Sequence, residues 1–291
     1  DYFKKDGLNC LGVEPSRNVA NFAKQKNLKV LNKFFCFKEM SKLKNYYKKT
    51  DLICAANVIC HIPNLNDVIK SVDFLLNSNG IFVFEEPYLG SMFEKVSYDQ
   101  IYDAHIYMFS VHSVKTIFDK KGFDLINVTP QKTHGGSMRY TIARKNRFKI
   151  KKKVFNLLKL EKKKKLNSIK SCQKFKKDCF LSREHFRQKI FKLKKKGLKV
   201  AGYAASAKST TALNFCNIDN TFIDYIADNT KEKISKFTPG THIPIVSIEY
   251  FRKNYPDILI LCSWNHKNEI LNKEKEFIKK GGKWISHVKK I

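Results

Sequence analysis

Near the start of the chain stands Cys10-Leu11-Gly12-Val13-Glu14-Pro15-Ser16, a short apolar run that ends in an acid and a proline–serine pair. The apolar run predicts a β-strand, and Pro15 with Ser16 predicts the start of a helix that continues to Ala23. A second short strand is predicted at 29–31. A strand, a helix and another strand in this order are typical of a parallel α/β sheet.

The same alternation continues along the first part of the chain. Apolar runs predict strands at 51–56, 81–85, 122–128 and 138–143. Helices are predicted at 65–76 and 111–121, and Asn79-Gly80 has the composition of a helix end. At 291 residues the chain is long enough for two domains that each bury a core.

A lysine-dense segment at 145–196 interrupts the pattern, which then starts again. Its apolar spacing predicts one or two long amphipathic helices with a solvated lysine face. Docking of that face on an acidic membrane or a nucleic acid is the alternative. Beyond it, strands are predicted at 198–203, 222–226, 258–261 and 281–285, with helices at 209–215 and 265–279. We therefore predict the α/β class, with one domain at 1–122 and a second at 123–291.

The net charge of +31 at pH 7 raises the question of a nucleic-acid partner. Only seven of the 57 basic residues are arginine, whereas proteins that recognise nucleic acids favour the arginine fork. A drift toward A/T-rich codons explains the lysine content more simply. We expect no specific nucleic-acid partner.

Other composition features exclude several classes of protein. No apolar run approaches the length of roughly 18 residues that a membrane span needs, and no secretion signal opens the chain. The eight cysteines contain no Cys-x-x-Cys pair, which indicates reduced thiols and argues against a zinc site. We expect a cytoplasmic protein without a membrane partner, present as a monomer or a weak oligomer.

Two segments contain residues suited to proton transfer and ligand binding. Tyr102 and His105 lie three residues apart, and an imidazole is a good base near neutral pH. Further along, Thr133-His134-Gly135-Gly136-Ser137-Met138-Arg139 places a flexible glycine pair among polar groups. A surface Tyr-x-x-His turn and a tight turn between strands are the structural alternatives.

Together with their flanks, these segments resemble the sugar C-methyltransferases. The resemblance extends from Gly12 to about Trp284, over strings that include Gly12-Val13-Glu14-Pro15-Ser16, Asn57-Val58-Ile59-Cys60-His61 and Phe237-Thr238-Pro239-Gly240. It implies a Rossmann-like methyltransferase domain followed by a second Rossmann-like domain. It also implies methyl transfer from S-adenosylmethionine to a carbon next to the ketone of a keto-deoxysugar nucleotide, through an enolate.

The resemblance implies a role for each candidate site residue. Tyr102 and His105 would be catalytic. An acid at the end of the second strand of such a sheet commonly binds ribose hydroxyls, so Glu14 would bind the cofactor. Ser16, Asn57 and His61 would join it, although His61 also fits a structural role. The residues expected to bind the sugar nucleotide are Glu86, Tyr88, His134, Gly135, Arg139, Ser206, Lys208, Trp264 and Asn265. For Trp264, packing is an equal alternative. Glu85 and Glu86 cannot both face the site, because strand side chains alternate, and solvation is the alternative for either acid.

One residue departs from the family pattern. Where the family has an acid, this chain has Ala104. Three consequences are open: the enzyme is slower, Asp103 or Glu86 takes over the role of that acid, or the substrate differs. An altered relative that binds the sugar nucleotide without methyl transfer is the alternative, and a basic nucleic-acid-binding protein is a second. Because the chain starts without methionine, we expect an N-terminally truncated piece that is inactive alone. Zinc would belong to the missing module.

Overall fold

The computed structural model describes residues 1–45 and 50–288. In this part of the chain the strands are β1 (Gly12–Val13), β2 (Val30–Leu31), β3 (Thr50–Ala56), β4 (Leu76–Pro87), β5 (Phe123–Gln131), β6 (Ser137–Arg144), β7 (Val200–Tyr203), β8 (Ile226–Asp228), β9 (Ile245–Ser247), β10 (Ile258–Leu261) and β11 (Lys283–Ile285). The α-helices are α1 (Tyr2–Lys5), α2 (Arg17–Gln25), α3 (Phe37–Met40), α4 (Leu65–Leu75), α5 (Leu89–Lys95), α6 (Val111–Asp119), α7 (Lys152–Lys163), α8 (Ile169–Lys195), α9 (Ala207–Cys216), α10 (Ile248–Lys253), α11 (Lys267–Lys273) and α12 (Lys275–Lys279).

The chain folds into two compact units that interleave along the sequence. The first contains residues 1–85, 112–129 and 139–155, and the second contains residues 86–111, 130–138 and 156–291. The predicted boundary between residues 122 and 123 stays a prediction about family domains. Among the described residues, no helix is long and apolar enough to cross a membrane.

The first unit is built on two sheets. Strands β1 and β2 pair in parallel, with Gly12 opposite Val30. The other sheet has the order β3-β4-β6-β5, and β3 runs parallel to β4. Its core is aromatic, because Phe84 stacks on Phe82 at 5.1 Å and on Tyr140 at 4.9 Å between ring centroids. This confirms an α/β fold for the first part of the chain.

The second unit contains a five-stranded sheet of order β11-β10-β7-β8-β9, in which all neighbouring strands are parallel. Ile258 and Ile260 of β10 pack into one core cluster, while Leu259 and Leu261 pack into another. Successive side chains of a strand point to opposite faces, so this sheet is buried on both sides. The uninterrupted apolar run of β10 follows from that burial.

Several predicted boundaries were wrong. Helix α4 ends at Leu75 and β4 begins at once, so Asn79-Gly80 lies in a strand and not at a helix end. The glycine is required by packing, since a Cβ on Gly80 would lie 2.7 Å from the Leu76 side chain and 2.9 Å from the Thr50 carbonyl. Composition alone does not distinguish this close approach from a helix cap.

In the second unit, the predicted strand at 222–226 begins only at Ile226, because the amides of Phe222 and Ile223 bond to the Asp219 carbonyl in a turn. The predicted helix at 265–279 is divided into a 3-10 turn (264–266), α11 and α12. Glu274 lies at the second break, where it is buried and binds Tyr203 and Arg252. Strand β9 and helix α10 were not predicted.

Candidate active site

Tyr102 and His105 form a hydrogen-bonded pair in the second unit. The Tyr102 hydroxyl lies 2.7 Å from Nε2 of His105, and Nδ1 of His105 lies 2.8 Å from the carbonyl oxygen of Gln100. A carbonyl oxygen only accepts, so Nδ1 carries a hydrogen. In the neutral ring, Nε2 is then the basic nitrogen and accepts from Tyr102. The backbone therefore selects the tautomer in which Nε2 can take a proton.

The 3-10 turn that precedes this pair (98–100) is held by a buried carboxylate. Asp99 is completely buried, and its Oδ2 accepts a hydrogen bond of 2.7 Å from the indole nitrogen of Trp264. Its Oδ1 lies 3.4 Å from Nε2 of His287. Burial by itself raises the pKa of Asp99, but His287, Lys208 and Trp264 together hold it below its ordinary value. Sequence reasoning missed Asp99 and His287, because neither lies in a motif whose chemistry is evident.

Lys208 and Trp264 lie together beside that carboxylate. The Lys208 ammonium is 5.5 Å from the centroid of the Trp264 ring, and both side chains are buried. Within residues 1–45 and 50–288, Nζ of Lys208 has no hydrogen-bond partner. Burial lowers the pKa of this amine, and the nearby Asp99 offsets part of that effect. The burial of Trp264 favours the packing alternative for this residue over an exposed stacking platform.

The glycine pair forms the turn that the sequence suggested. His134, Gly135 and Gly136 all have positive φ angles, of 51°, 79° and 128°. The ring of Trp264 occupies the space where a Cβ of Gly135 would lie, and Lys95 donates to the Gly135 carbonyl. Glycine is therefore required here for close packing as well as for the turn.

Tyr88 is oriented by an acid that the sequence did not reveal as functional. Its hydroxyl donates to Oε1 of Glu161 at 2.9 Å, and the same oxygen accepts from the amide of Val111 at 2.7 Å. Burial, and then the Glu161 carboxylate, raises the pKa of Tyr88. The available signal was that Glu161 is one of only three acidic residues in the lysine-dense segment 145–196.

Ser206 caps helix α9 through a reciprocal pair of bonds with Ser209. The preceding amide, that of Ala205, donates to Asp228 at 2.7 Å. Side chains of the protein thus already accept from the amides of Ala205, Ser206 and Ser209, so these amides are not free to bind a sugar nucleotide. Asn265 lies half-buried in the 3-10 turn at 264–266.

The two adjacent acids at the end of β4 are both buried, so the alternative of a solvated side chain applies to neither Glu85 nor Glu86. In the first unit, Oε2 of Glu85 accepts two hydrogen bonds from the Arg139 guanidinium, at 2.9 and 3.1 Å. Glu86 begins the second unit. Asp103 and Ala104 are exposed.

The predicted cofactor residues follow strand ends in the first unit. Glu14 comes directly after β1, and its Oε1 accepts from the Ser16 amide at 2.7 Å. Asn57 follows β3 with a φ of 53°, and its amide donates to the Glu85 carbonyl. Among the described residues, Oδ1 of Asn57 is buried without a hydrogen-bond partner. His61 ends the short 3-10 turn beyond it (59–61).

Comparisons with known proteins identify the family of this chain. Residues 132–288 match the family model described as the C-methyltransferase C-terminal domain, and residues 1–128 match a methyltransferase domain. The chain belongs to the C-methyltransferase family. It is 28% identical over 286 residues to C-methyltransferase NovU of Streptomyces niveus. The matched residues are 98% of this chain and 68% of that protein.

Two solved methyltransferases are among the structures that this chain partly resembles. Magnesium protoporphyrin IX methyltransferase of Synechocystis with bound SAM matches with a TM-score of 0.35 at 14% identity, over 48% of this chain and 61% of that one. A putative S-adenosylmethionine-dependent methyltransferase from Listeria monocytogenes matches with a TM-score of 0.39 at 14% identity, over 50% and 84%.

The chain is thus a methyltransferase that uses S-adenosylmethionine. The residues after the strand ends fit this cofactor chemically. A carboxylate such as that of Glu14 accepts hydrogen bonds from ribose hydroxyls, and within residues 1–45 and 50–288 the buried Oδ1 of Asn57 has no hydrogen-bond partner.

Proposed function

We propose that this C-methyltransferase methylates the carbon next to the ketone of a keto-deoxysugar nucleotide through an enolate. The observation that carries the proposal is the hydrogen-bonded sequence from Tyr102 to His105 to the Gln100 carbonyl. C-methylation beside a ketone needs a base for a carbon-bound proton and a donor for the oxyanion that forms. This pair supplies both groups.

In the proposed reaction, the Tyr102 hydroxyl first turns from Nε2 of His105 to the ketone oxygen, and the Nε2 lone pair then removes the proton from the carbon next to the ketone. The imidazole then carries hydrogens on both nitrogens, and the Tyr102 hydroxyl donates to the enolate oxygen. When bound, S-adenosylmethionine supplies the methyl group, which the enolate carbon takes as the carbon–sulfur bond breaks. The proton remains on His105 until water removes it.

The other candidate residues have binding roles in this proposal. Glu14, Ser16, Asn57 and His61 hold the cofactor. Glu161 orients Tyr88 toward the sugar, and its two short hydrogen bonds support that role. The remaining sugar-nucleotide contacts come from Glu86, His134, Gly135, Arg139, Ser206, Lys208 and Asn265, whereas the buried Trp264 packs beside Lys208. A cytoplasmic location and a role in deoxysugar biosynthesis belong to the same proposal.

The test follows the proton and the methyl group separately. In D₂O with S-adenosylhomocysteine and a keto-deoxysugar nucleotide, the protein should exchange the carbon-bound hydrogen for deuterium, as read by NMR. With methyl-labelled cofactor, the same carbon should gain the label. We expect His105→Ala to lower both rates by about 10² to 10⁴-fold, since general base catalysis contributes that much.

Tyr102→Phe should lower both rates less, because the base remains. Neither variant should change the affinity for S-adenosylhomocysteine, measured by calorimetry. His185→Ala, which removes an exposed histidine of α8, is the matched control and should leave both rates unchanged. Normal deuterium exchange in His105→Ala would assign the base to another residue, and sugar-nucleotide binding without any exchange would contradict the proposed reaction.

A further inference from the structure

Helix α8 exposes a second apolar stripe, on the side opposite its core-facing side. Its buried positions are Phe175, Cys179, Ser182, Phe186 and Ile190. Four large apolar side chains on the other side are exposed: Ile169 (72%), Phe180 (41%), Leu181 (56%) and Phe191 (47%). At about 100° per residue, these four positions fall within an arc of roughly 120°. A surface helix of a globular protein needs only its core-facing stripe.

Lysines surround this second stripe. Residues 156–196, all in the second unit, contain 14 lysines and two arginines against three acidic residues, a net charge of +13. The other 250 residues carry the remaining +18 of the total of +31. One of the three acids, Glu161, is buried. A drift in codon usage would spread lysine evenly, so it does not explain this concentration.

A shallow cavity of about 400 Å³ opens on the same side of α8. Its lining consists of Gln173, Lys176, Lys177, Phe180, Leu181 and Glu184. The α8 outer face, which we define as these six residues with Ile169, Lys170, Phe191, Lys192 and Lys195, therefore combines apolar and cationic groups along one side of a helix.

We propose that the α8 outer face docks on an anionic lipid surface. Lysines at such a surface attract acidic headgroups, and apolar side chains between them insert at the boundary of headgroups and acyl chains. The four exposed apolar residues of α8 are spread over a length of about 33 Å, and of these only Phe180 and Leu181 are adjacent. That spacing fits a planar lipid surface better than a protein partner, whose interface would have a compact apolar centre.

A nucleic-acid partner fits the same face less well. Only two of the 16 basic residues in 156–196 are arginine, and nucleic-acid recognition favours arginine. Exposed Ile169 and Leu181 also offer no π-face for base stacking. The proposal concerns peripheral attachment, and it revises the expectation that this protein has no membrane partner. It does not depend on the proposed reaction.

The test is co-sedimentation of the protein with phosphatidylcholine vesicles that contain either no anionic lipid or about 30% phosphatidylglycerol. We expect binding only to the anionic vesicles, and weaker binding as salt rises. The double variant K176E/K177E should bind the anionic vesicles at least about 30-fold more weakly, since each lysine near a lipid surface contributes about 1 kcal/mol. Leu181→Gln should weaken binding while leaving the charge unchanged.

Matched controls separate this face from the overall charge. K120E/K121E makes the same charge change at two exposed lysines of the first unit, and Ile278→Gln removes an exposed apolar side chain from α12. Both should bind vesicles like the parent protein, and circular dichroism should show all variants folded. Equal weakening by K120E/K121E would overturn the proposal, as would binding to RNA or to an acidic peptide without binding to anionic vesicles. No vesicle binding at all would also overturn it.

Discussion

At the residue scale, the buried carboxylate of Asp99 connects the Tyr102–His105 segment to the core of the second unit. It is completely buried, it accepts from Trp264, and it lies 3.4 Å from His287. A buried charge is tolerated only with such partners, because an unpaired one is very costly. The proposed base therefore depends on residues far along the sequence.

Asp99→Asn should lower the free energy of unfolding at pH 7 by about 2–3 kcal/mol, because it breaks a buried charge pair but keeps an acceptor for Trp264. The pKa of Asp99 is lowered in the folded state, so its stabilisation is full above about pH 4 and decreases as the pH falls through the native pKa. Urea unfolding of the parent protein and of Asp99→Asn at several pH values measures this difference in unfolding free energy.

The difference between the Asn variant and the parent protein should therefore shrink under acidic conditions. Asp103→Asn changes an exposed acid in the same segment and serves as the control, with no change expected. A difference that stays constant down to about pH 3 would show that charge is not the cause.

Lys208 provides a second prediction at this scale. Burial lowers the pKa of its amine, so the charged form destabilises the folded protein below that native pKa. Lys208→Met should raise the unfolding free energy by about 1 kcal/mol at pH 7, with a smaller gain at alkaline pH. The same change should weaken sugar-nucleotide binding about 10-fold if Lys208 contacts a phosphate.

Thermal unfolding and nucleotide titration measure the two effects of Lys208→Met. Lys231→Met, at an exposed lysine of the same unit, is the control for both. A loss of stability in Lys208→Met would mean that its ammonium stabilises the fold. A gain in stability without weaker nucleotide binding would instead remove Lys208 from the site.

At the scale of elements, the turn between β5 and β6 is fixed by Trp264. Gly135→Ala should destabilise the protein by about 3 kcal/mol or more, since the new Cβ overlaps the indole ring and φ is positive. Gly197→Ala has a similar φ of 74° and nothing within 4 Å, so it should cost only about 1–2 kcal/mol. Chemical denaturation of both variants isolates the packing contribution. Equal losses would show that Trp264 does not restrict this turn.

At the scale of the whole molecule, burial distinguishes exposed cysteines such as Cys172 from buried ones. Burial raises the pKa of Cys216 to about 11 and those of Cys179 and Cys262 to about 12, whereas Cys172 is exposed. Because the thiolate is the reactive form, we expect iodoacetamide to modify Cys172 quickly and these three slowly. Mass spectrometry of native and denatured protein measures the pattern. Labelling of Cys262 in the native protein as fast as that of Cys172 would show that the core of the second unit opens readily.

The sequence by itself determined the α/β class, the restart of the pattern after the lysine-rich segment, and the Tyr102–His105 pair. Each of these features depends on residues that are close together in the sequence. Strand β10 is a run of consecutive apolar residues, and Tyr102 and His105 are only three positions apart. Tertiary structure alone decided that Asp99, His287 and Trp264 meet, that Glu161 orients Tyr88, and that Gly80 lies in a strand. Each depends on contacts between residues distant in sequence, and burial and close packing, which no local pattern encodes, bring those residues together.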